Sequence, residues 1–450
     1  VEYKHGSEWI SEYFFLCHDD MPMDYDVVAA RNRLQSILDE CDVMVGHNLK
    51  HDLSWMRECG FTFDGRYWDT MLFEYIIARG VKEHSFSLAA TAERRGVSLK
   101  KEELIQGFYK EGKTFKQIPM DIVEEYGRGD VTSTREVYEA QHIELYSTEL
   151  NMKLIPTVLM MNDFLDVVVD IERNGLKIDT DALCSLEKEY RERLVHLEES
   201  LTTKARKVLG DTPFSLTSPA DLSKIVYSRI PTDKKLWAST FNCGTDAAGK
   251  KLRKPKMKKK EFSDAVKSNS RVLKVTKAYK CPHCKGSGKY YRVKKDGGLF
   301  AVPSKCPDCN ATGLLYTEID KVAGFKVIPQ SVNYTTSNGF ATNKATIEEL
   351  VVKATNAQKE FLTELVEYNK ISTYLSTFIE GIKTNVCDHD NVLHFSLNQH
   401  VAATGRLSHS APNFGNMPRG DTFPVKRAIV SRFGKDGCIM DCDFAQLEFR

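Results

Sequence analysis

Asp443-Phe444-Ala445-Gln446-Leu447-Glu448-Phe449-Arg450 follows directly on Cys438-Ile439-Met440-Asp441-Cys442 at the end of this 450-residue sequence. The apolar run 438–440 reads as a buried strand, with Asp443 where that strand ends and a turn leads into a helix. An acid in that place suits a metal-held phosphate, although a solvated turn acid is the plain alternative. Upstream stands Thr404-Gly405-Arg406-Leu407-Ser408-His409-Ser410-Ala411-Pro412-Asn413-Phe414-Gly415-Asn416-Met417-Pro418. The alternating stretch Val392 to His400 leads into it as a strand. Two long blocks in a fixed order are far more specific than either alone.

The 443–450 block resembles the first polymerase motif of family A (polymerase I-like) DNA polymerases, and 404–418 is similar to that family's template-primer and nucleotide-contacting segment. The resemblance implies Asp443 as a Mg²⁺ (or Mn²⁺) ligand, Glu448 as the residue that restricts the 2′ side of the sugar, and Gln446 and Arg450 near primer or nucleotide. It places Arg406 on the primer terminus or incoming nucleotide, and Asn413 and Asn416 along the template-primer. Family members carry an Arg two residues after the Pro that matches Pro418. Here Arg419 follows at once, then Gly420, which weakens a triphosphate contact by Arg419. Val1 is not a Met and Arg450 stops inside a motif, so both ends look cut and the piece by itself is not expected to polymerise.

Composition bounds the remaining classes. Hydrophobic residues make up 42% and charged residues 28%, ordinary for a globular protein of about three domains. No run of about 18 apolar residues exists, so no membrane partner is expected. The 12 cysteines are mostly single, which favours a reducing, cytoplasmic compartment over a disulfide framework. The net charge of +1 hides an asymmetry: residues 241–330 hold 21 Lys and Arg against 7 Asp and Glu. A basic island on an otherwise acidic chain points to a phosphate-bearing partner.

Residues 1–145 read as alternating strands and helices. Val43-Met44-Val45 is a short buried strand, Gly46-His47-Asn48-Leu49-Lys50-His51-Asp52 follows, and a helix starts at Leu53. Then come Asp69-Thr70-Met71-Leu72 and Tyr126-Gly127-Arg128-Gly129-Asp130-Val131. The series resembles the second and third motifs of the DnaQ-like 3′→5′ exonuclease, and His84 to Ala89 and Phe115 to Ile118 fit the same pattern. Phosphodiester cleavage by water uses two divalent cations held by carboxylates from separate segments, here Asp52 and Asp130. Tyr126 lies four residues before Asp130, on one helical face, and is placed to orient water; Asn48 positions Asp52 or substrate. Each has a bland alternative: turn residue, helix cap, surface acid, core tyrosine. His47 and His51 read as local hydrogen-bonding residues. The family's first motif, Asp-x-Glu, is absent from residues 1–47.

Ile171 to Asp179 resembles the start of the polymerase region, with Gly175 supplying a positive-φ turn and Asp179 or Asp181 a helix cap. Leu183, Leu186, Tyr190, Leu194, Leu197 and Leu201 mark one long helix; Thr346 to Ile382 reads as a second. Both fit the family's thumb, as does Phe214 to Leu222. Between them 241–330 reads as an insertion. Lys250 to Lys260 holds eight basic residues and no acid, either a solvated loop or a DNA-backbone tether. Cys281-Pro282-His283-Cys284 and Cys306-Pro307-Asp308-Cys309 have the spacing of a four-thiolate structural Zn²⁺ ribbon, with His283 outside the ligand set and Tyr290, Tyr291 and Phe300 on a short strand pair.

The expected fold is therefore α/β: an RNase H-like exonuclease domain (1–145), the start of the polymerase domain with thumb helices (146–240), a basic zinc-ribbon insertion (241–330), a second thumb part (331–390) and the start of an α+β palm (391–450). The expected function is a phage-type, replicative family A DNA polymerase with proofreading, whose partners are DNA primer-template, deoxynucleoside triphosphates and a processivity factor at the insertion. A stand-alone exonuclease and a zinc-ribbon DNA-binding accessory protein with relic catalytic domains are the alternatives.

Overall fold

The computed structural model describes residues 1–78, 85–246, 251–295, 297–329, 331–417 and 423–442. It divides into two compact units, residues 1–183 with 377–450, and residues 184–376.

In the first unit, strands Val43–Gly46 and Arg66–Asp69 pair in parallel, Val43 opposite Arg66 and Gly46 opposite Asp69. The pair is less buried than its apolar run suggests, since Val43 is exposed and only Gly46 of the first strand is buried. Helix Ile155–Asn174 covers it: Leu165 and Val169 join Leu49, Leu53, Tyr67 and Leu72 in one apolar cluster. A second cluster gathers Trp68, Phe73, Leu145 and Val158. Leu145 ends the long helix Met120–Leu145, which carries both Tyr126 and Asp130.

Helix Leu49–Glu58 begins four residues earlier than the sequence suggests, so Asp52 lies in its first turn. The cause is a distant cap. Asp69, 1% exposed, accepts hydrogen bonds from Asn48 N at 3.0 Å and Leu49 N at 2.9 Å. The same carboxylate caps helix Thr70–Ile77, accepting Met71 N at 2.8 Å and Leu72 N at 3.4 Å. One buried acid therefore satisfies orphan N–H groups of two helices.

Strand Leu176–Lys177 pairs with Val392–Leu393. Gly175 has φ +57°, and a Cβ there would meet the Leu393 carbonyl oxygen at 2.6 Å, so this turn admits only glycine. Asp179 caps the helix Thr180–Leu209 through Ala182 N at 2.9 Å.

In the second unit, Leu197, Leu201 and Ala205 of that helix are buried, as its period requires. Lys204 binds Glu360 at 2.6 Å and Glu364 at 2.7 Å, both on helix Asn356–Thr373. The stretch expected as one helix from Thr346 to Ile382 is broken: helix Lys344–Lys353 ends, and a new one starts after Thr355, whose N–H donates to Gln358 Oε1 at 3.0 Å. That reciprocal cap favours a fresh N-terminus over continuation. Tyr374–Ile379 is then π-helical before helix Glu380–Asn385.

Within the basic run, Lys254 is anchored rather than solvated. Its Nζ donates to Phe241 O at 3.2 Å, Thr335 O at 2.9 Å and Thr335 Oγ1 at 3.1 Å, and lies 2.8 Å from Cys243 Sγ. This lysine is not available to a phosphate.

Asp69→Ala should destabilise the first unit by about 2–4 kcal/mol, through loss of both caps and unpaired buried N–H groups. Burial raises the Asp69 carboxyl from 3.8 to about 6, against the pull of its backbone hydrogen bonds. The folded value lies above the unfolded one, so this group's contribution to stability falls as pH rises between those values. Thermal melts from about pH 4 to 7 should show that slope reduced in Asp69→Asn.

Candidate functional site

Helix Met120–Leu145 sets Tyr126 and Asp130 one turn apart on one face, as the spacing predicts. Asp130 Oδ2 pairs with Lys100 Nζ at 3.2 Å, and that ammonium lies 4.9 Å from the centre of the Tyr126 ring. Asp130 Oδ1 is buried and has no hydrogen-bond partner. Burial raises the Asp130 carboxyl, and Lys100 opposes that shift. Burial likewise raises Tyr126.

Asp52 is exposed at the start of its helix, yet desolvation by the protein around it raises its carboxyl, with the Asp130 charge adding to the rise. The structure thus brings Asp52 and Asp130 into one another's field. An orphaned, buried carboxylate oxygen within the field of a second carboxylate is compatible with a divalent cation. Among the described residues no third His, Cys, Asp or Glu joins them in a metal-ligand group.

Lys100, the partner of Asp130, also lines a cleft of about 680 Å³ with His47, Asn48, Phe86, Asn398 and His400 among others. Asn48 adopts φ 60°, ψ 46° and makes no side-chain cap bond, so its amide is left at the cleft wall. His47 bridges Thr70 Oγ1 at 2.8 Å and the Phe86 carbonyl at 2.9 Å. Burial lowers its pKa to about 4, so it is a neutral positioning group near pH 7. His51 makes an edge contact with Trp55. Phe86 lies on the motif begun by His84, which itself falls outside the described residues.

Sequence reasoning missed Lys100, Asn398 and His400, because no spacing rule ties them to residues 47–130. It also missed the tie between these regions. Glu172 Oε1 accepts Lys50 Nζ at 2.7 Å and Leu397 N, while Lys50 Nζ also reaches the Leu397 carbonyl at 2.8 Å. Tyr75 Oη donates to Ala402 O at 2.6 Å.

Strand Ser396–Asn398 pairs with Ser408–Ser410, so Thr404 to Leu407 form the connection between them, with Arg406 on the surface. Asn413 precedes the 3₁₀ turn Phe414–Asn416; it is half-buried and Asn416 is exposed. The strand expected at 438–440 is absent. Ile439 and Met440 are 58% and 81% exposed, and no described strand pairs with them. Three apolar residues do not make a strand without a ladder partner. Asp443, Gln446, Glu448 and Arg450, like Pro418, Arg419 and Gly420, lie outside the described residues.

In the second unit the four cysteines of the two CxxC knuckles are buried, and their sulfurs lie within 4.8 Å of one another. Cys281 and Cys306 sulfurs are 3.8 Å apart, Cys284 and Cys309 3.6 Å. Four sulfurs each about 2.3 Å from a zinc ion form a tetrahedron with edges of about 3.8 Å, so the set is compatible with zinc. The knuckles lock reciprocally: Cys281 N donates to Gly313 O at 2.8 Å and Cys306 N to Gly288 O at 2.9 Å. A Cβ at Gly288 or Gly313 would lie 2.3 Å from a carbonyl oxygen of the opposite knuckle. His283 turns to Asp308 at 3.0 Å and is no ligand.

Comparison with known proteins places both regions. Residues 16–145 match the family described as 3′-5′ exonuclease, and residues 318–450 match DNA polymerase family A. A DNA polymerase of Bacillus phage SP01 is 24% identical over 432 residues, covering 93% of this chain and 39% of that protein. DNA polymerase I of Pseudomonas aeruginosa is 27% identical over 231 residues, covering 48% of this chain and 24% of its own length. The chain thus spans about two-fifths of the phage relative. A solved structure, the POL domain of Pol1 from M. smegmatis in complex with DNA primer-template and dNTP, shares the fold with a TM-score of 0.50 at 16% identity, over 91% of this chain and 49% of that one. In sequence order, then, a segment similar to 3′-5′ exonuclease domains precedes one similar to family A DNA polymerases.

Proposed function

We propose that the chain is part of a replicative DNA polymerase that removes mispaired 3′ ends with its amino-terminal domain and extends primers with the region that begins near residue 391. On this reading residues 1–145 form an RNase H-like exonuclease, 146–240 and 331–390 contribute the helical thumb, 241–330 is an inserted zinc module and 391–450 opens the palm. The observation that carries the exonuclease half is the buried, unpartnered Oδ1 of Asp130, one turn from Tyr126 and within the field of Asp52.

Asp52 and Asp130 would hold Mg²⁺ or Mn²⁺, which when bound supplies charge stabilisation at the scissile phosphate and an activated water. The chain's own groups do the rest. Tyr126 orients the attacking water through its hydroxyl, Asn48 lines the path of the strand, and the Lys100 ammonium opposes the burial that favours a protonated Asp130. Arg406, Asn413 and Asn416 are the described candidates for primer-template contact. Asp443 as metal ligand, Glu448 as sugar gate, and Gln446 and Arg450 beside the nucleotide complete the polymerase reading. The partners are primer-template DNA and deoxynucleoside triphosphates, with a processivity factor at the insertion, and the setting is the cytoplasm of a phage's host. No helix among the described residues is long and apolar enough to cross a membrane.

Asp130→Ala should abolish the tightest Mn²⁺ site seen by electron paramagnetic resonance, and cut 3′→5′ digestion of a 5′-labelled strand by about 100-fold or more in a polypeptide that has the activity. Unchanged Mn²⁺ binding would show that this acid is not a ligand. Tyr126→Phe should cost less.

For the polymerase half, Asp443→Ala in the longer protein should eliminate primer extension while DNA binding stays within about threefold, since one carboxylate's charge is removed at the reacting phosphate and not along the duplex. Extension at the wild-type rate would refute the assignment.

Cys281, Cys284, Cys306 and Cys309 are proposed to hold one structural Zn²⁺. Elemental analysis should find one zinc per chain, absent from Cys306→Ser; a metal-free wild type overturns it.

A further inference from the structure

The segment between the cysteine knuckles has a surface that its fold does not explain. Its interior is small: the four cysteines form the buried cluster, with Tyr290 and Leu315 packed against them among the described residues. The chain then runs out and back as a hairpin. Lys289 and Tyr290 pair with Lys305 and Ser304, Val293 bridges Leu299, and Phe300 N donates to Arg292 O at 3.0 Å. This pairing puts Arg292 and Phe300 side by side. Arg292 Cζ lies 5.2 Å and Lys294 Nζ 5.8 Å from the Phe300 ring centre, and that ring is 42% exposed. Tyr291 at 52% and Tyr279 at 48% are exposed as well.

Charge around these rings is one-sided. Residues 274–322 contain ten basic and four acidic residues. The three described acids are already taken: Asp308 by His283, Glu318 by Arg271 and Asp320 by Lys274. Lys277, Lys280, Lys285, Lys289 and Lys305 are left without an acidic partner among the described residues. Exposed aromatic faces flanked by unpaired cations are the chemistry of single-stranded nucleic acid recognition, where bases stack on rings and phosphates meet ammonium and guanidinium groups. Duplex DNA offers the phosphates but hides the base faces, so it uses only half of such a surface. A zinc ion held by the four knuckle thiolates would supply the rigidity that a core this small lacks.

We infer that the hairpin spanning residues 289–305 is a docking surface for single-stranded DNA, with Phe300 as the stacking platform and Arg292 and Lys294 as its phosphate contacts. The inference rests on the reading that the chain works on DNA and adds which strand this module takes, the unpaired one beside a primer-template. In sequence it lies between the segments that match the two families, residues 16–145 and 318–450.

The test uses the whole chain and a labelled oligonucleotide of about 16 nucleotides, read by fluorescence anisotropy at about 50 and 200 mM salt. Phe300→Ala should weaken single-strand binding about 5- to 100-fold, and leave blunt duplex binding within about twofold. Arg292→Ala with Lys294→Ala should lower the slope of log affinity against log salt by about 0.7 for each phosphate no longer neutralised. Zinc content and thermal melting equal to wild type keep these variants interpretable as folded. Equal single-strand affinity in Phe300→Ala and wild type overturns the inference, and so does an equal weakening on single strand and duplex. Capture of an acidic protein by this hairpin with DNA affinity unchanged overturns it in favour of a protein partner. A wild-type chain that binds single strands but no primer-template leaves this inference standing and removes the polymerase reading instead.

Discussion

Asp69 accepts the backbone N–H groups of Asn48, Leu49, Met71 and Leu72, and this one buried carboxylate fixes where two helices begin. Asp52 sits three residues past Leu49, so its place in the site follows from where that helix starts. Both helix N-termini present partial positive charge to the same acid, which offsets the cost of burying it. The strand that ends at Asp69 is held in turn by Asn162, whose Oδ1 accepts Asp69 N at 2.6 Å. Asn162 lies on helix Ile155–Asn174, which also supplies Leu165 and Val169 to the core. The candidate site is thus built on a chain of satisfied buried polar groups as well as on apolar packing.

Local spacing carried much of this in the sequence. The Tyr126–Asp130 interval places both on one face of a helix, and two CxxC pairs place four sulfurs around one point, because both relations are set by backbone geometry within a few residues. The stripe from Leu183 to Leu201 gave a helix for the same reason. What stayed hidden depends on distant partners. Helix Leu49–Glu58 takes its cap from a residue 20 positions away, so its start could not be read from 46–53. Lys100 reaches Asp130 across the fold with no motif to mark it. The break at Thr355 was legible through Gln358, three residues on, but an unbroken apolar period on either side masks a single capping pair. Residues 438–440 show the opposite error: apolar composition without a ladder partner is not a strand.

The cysteine module follows a different economy from the rest of the chain. Elsewhere Trp237, Phe241 and Phe340 are fully buried and supply ordinary apolar cores. Here the interior consists of thiols, and glycines at φ +70° and +76° let each knuckle's backbone touch the other. A core that small leaves Tyr279, Tyr291, Phe300 and Tyr316 outside. Of these exposed rings, Phe300 is the one on which the proposed single-strand surface rests.

Glu172 ties the segment around Lys50 to the strand Ser396–Asn398. A single carboxylate oxygen receives both the Lys50 ammonium, two residues before Asp52, and the Leu397 amide, on the strand that leads toward Arg406. Lys50 closes the triangle on the Leu397 carbonyl. A charge-assisted bond in a site where both side chains are less than one-fifth exposed resists opening far more than a surface pair does. The strand Ser396–Asn398 is thereby held to the helix that carries Asp52, and Asn398 and His400 line the same cleft as Asn48 and Lys100. His47 and Asn48 thus share one cleft with Asn398 and His400, the two segments tied together by a part-buried ion pair and the backbone bonds on either side of it.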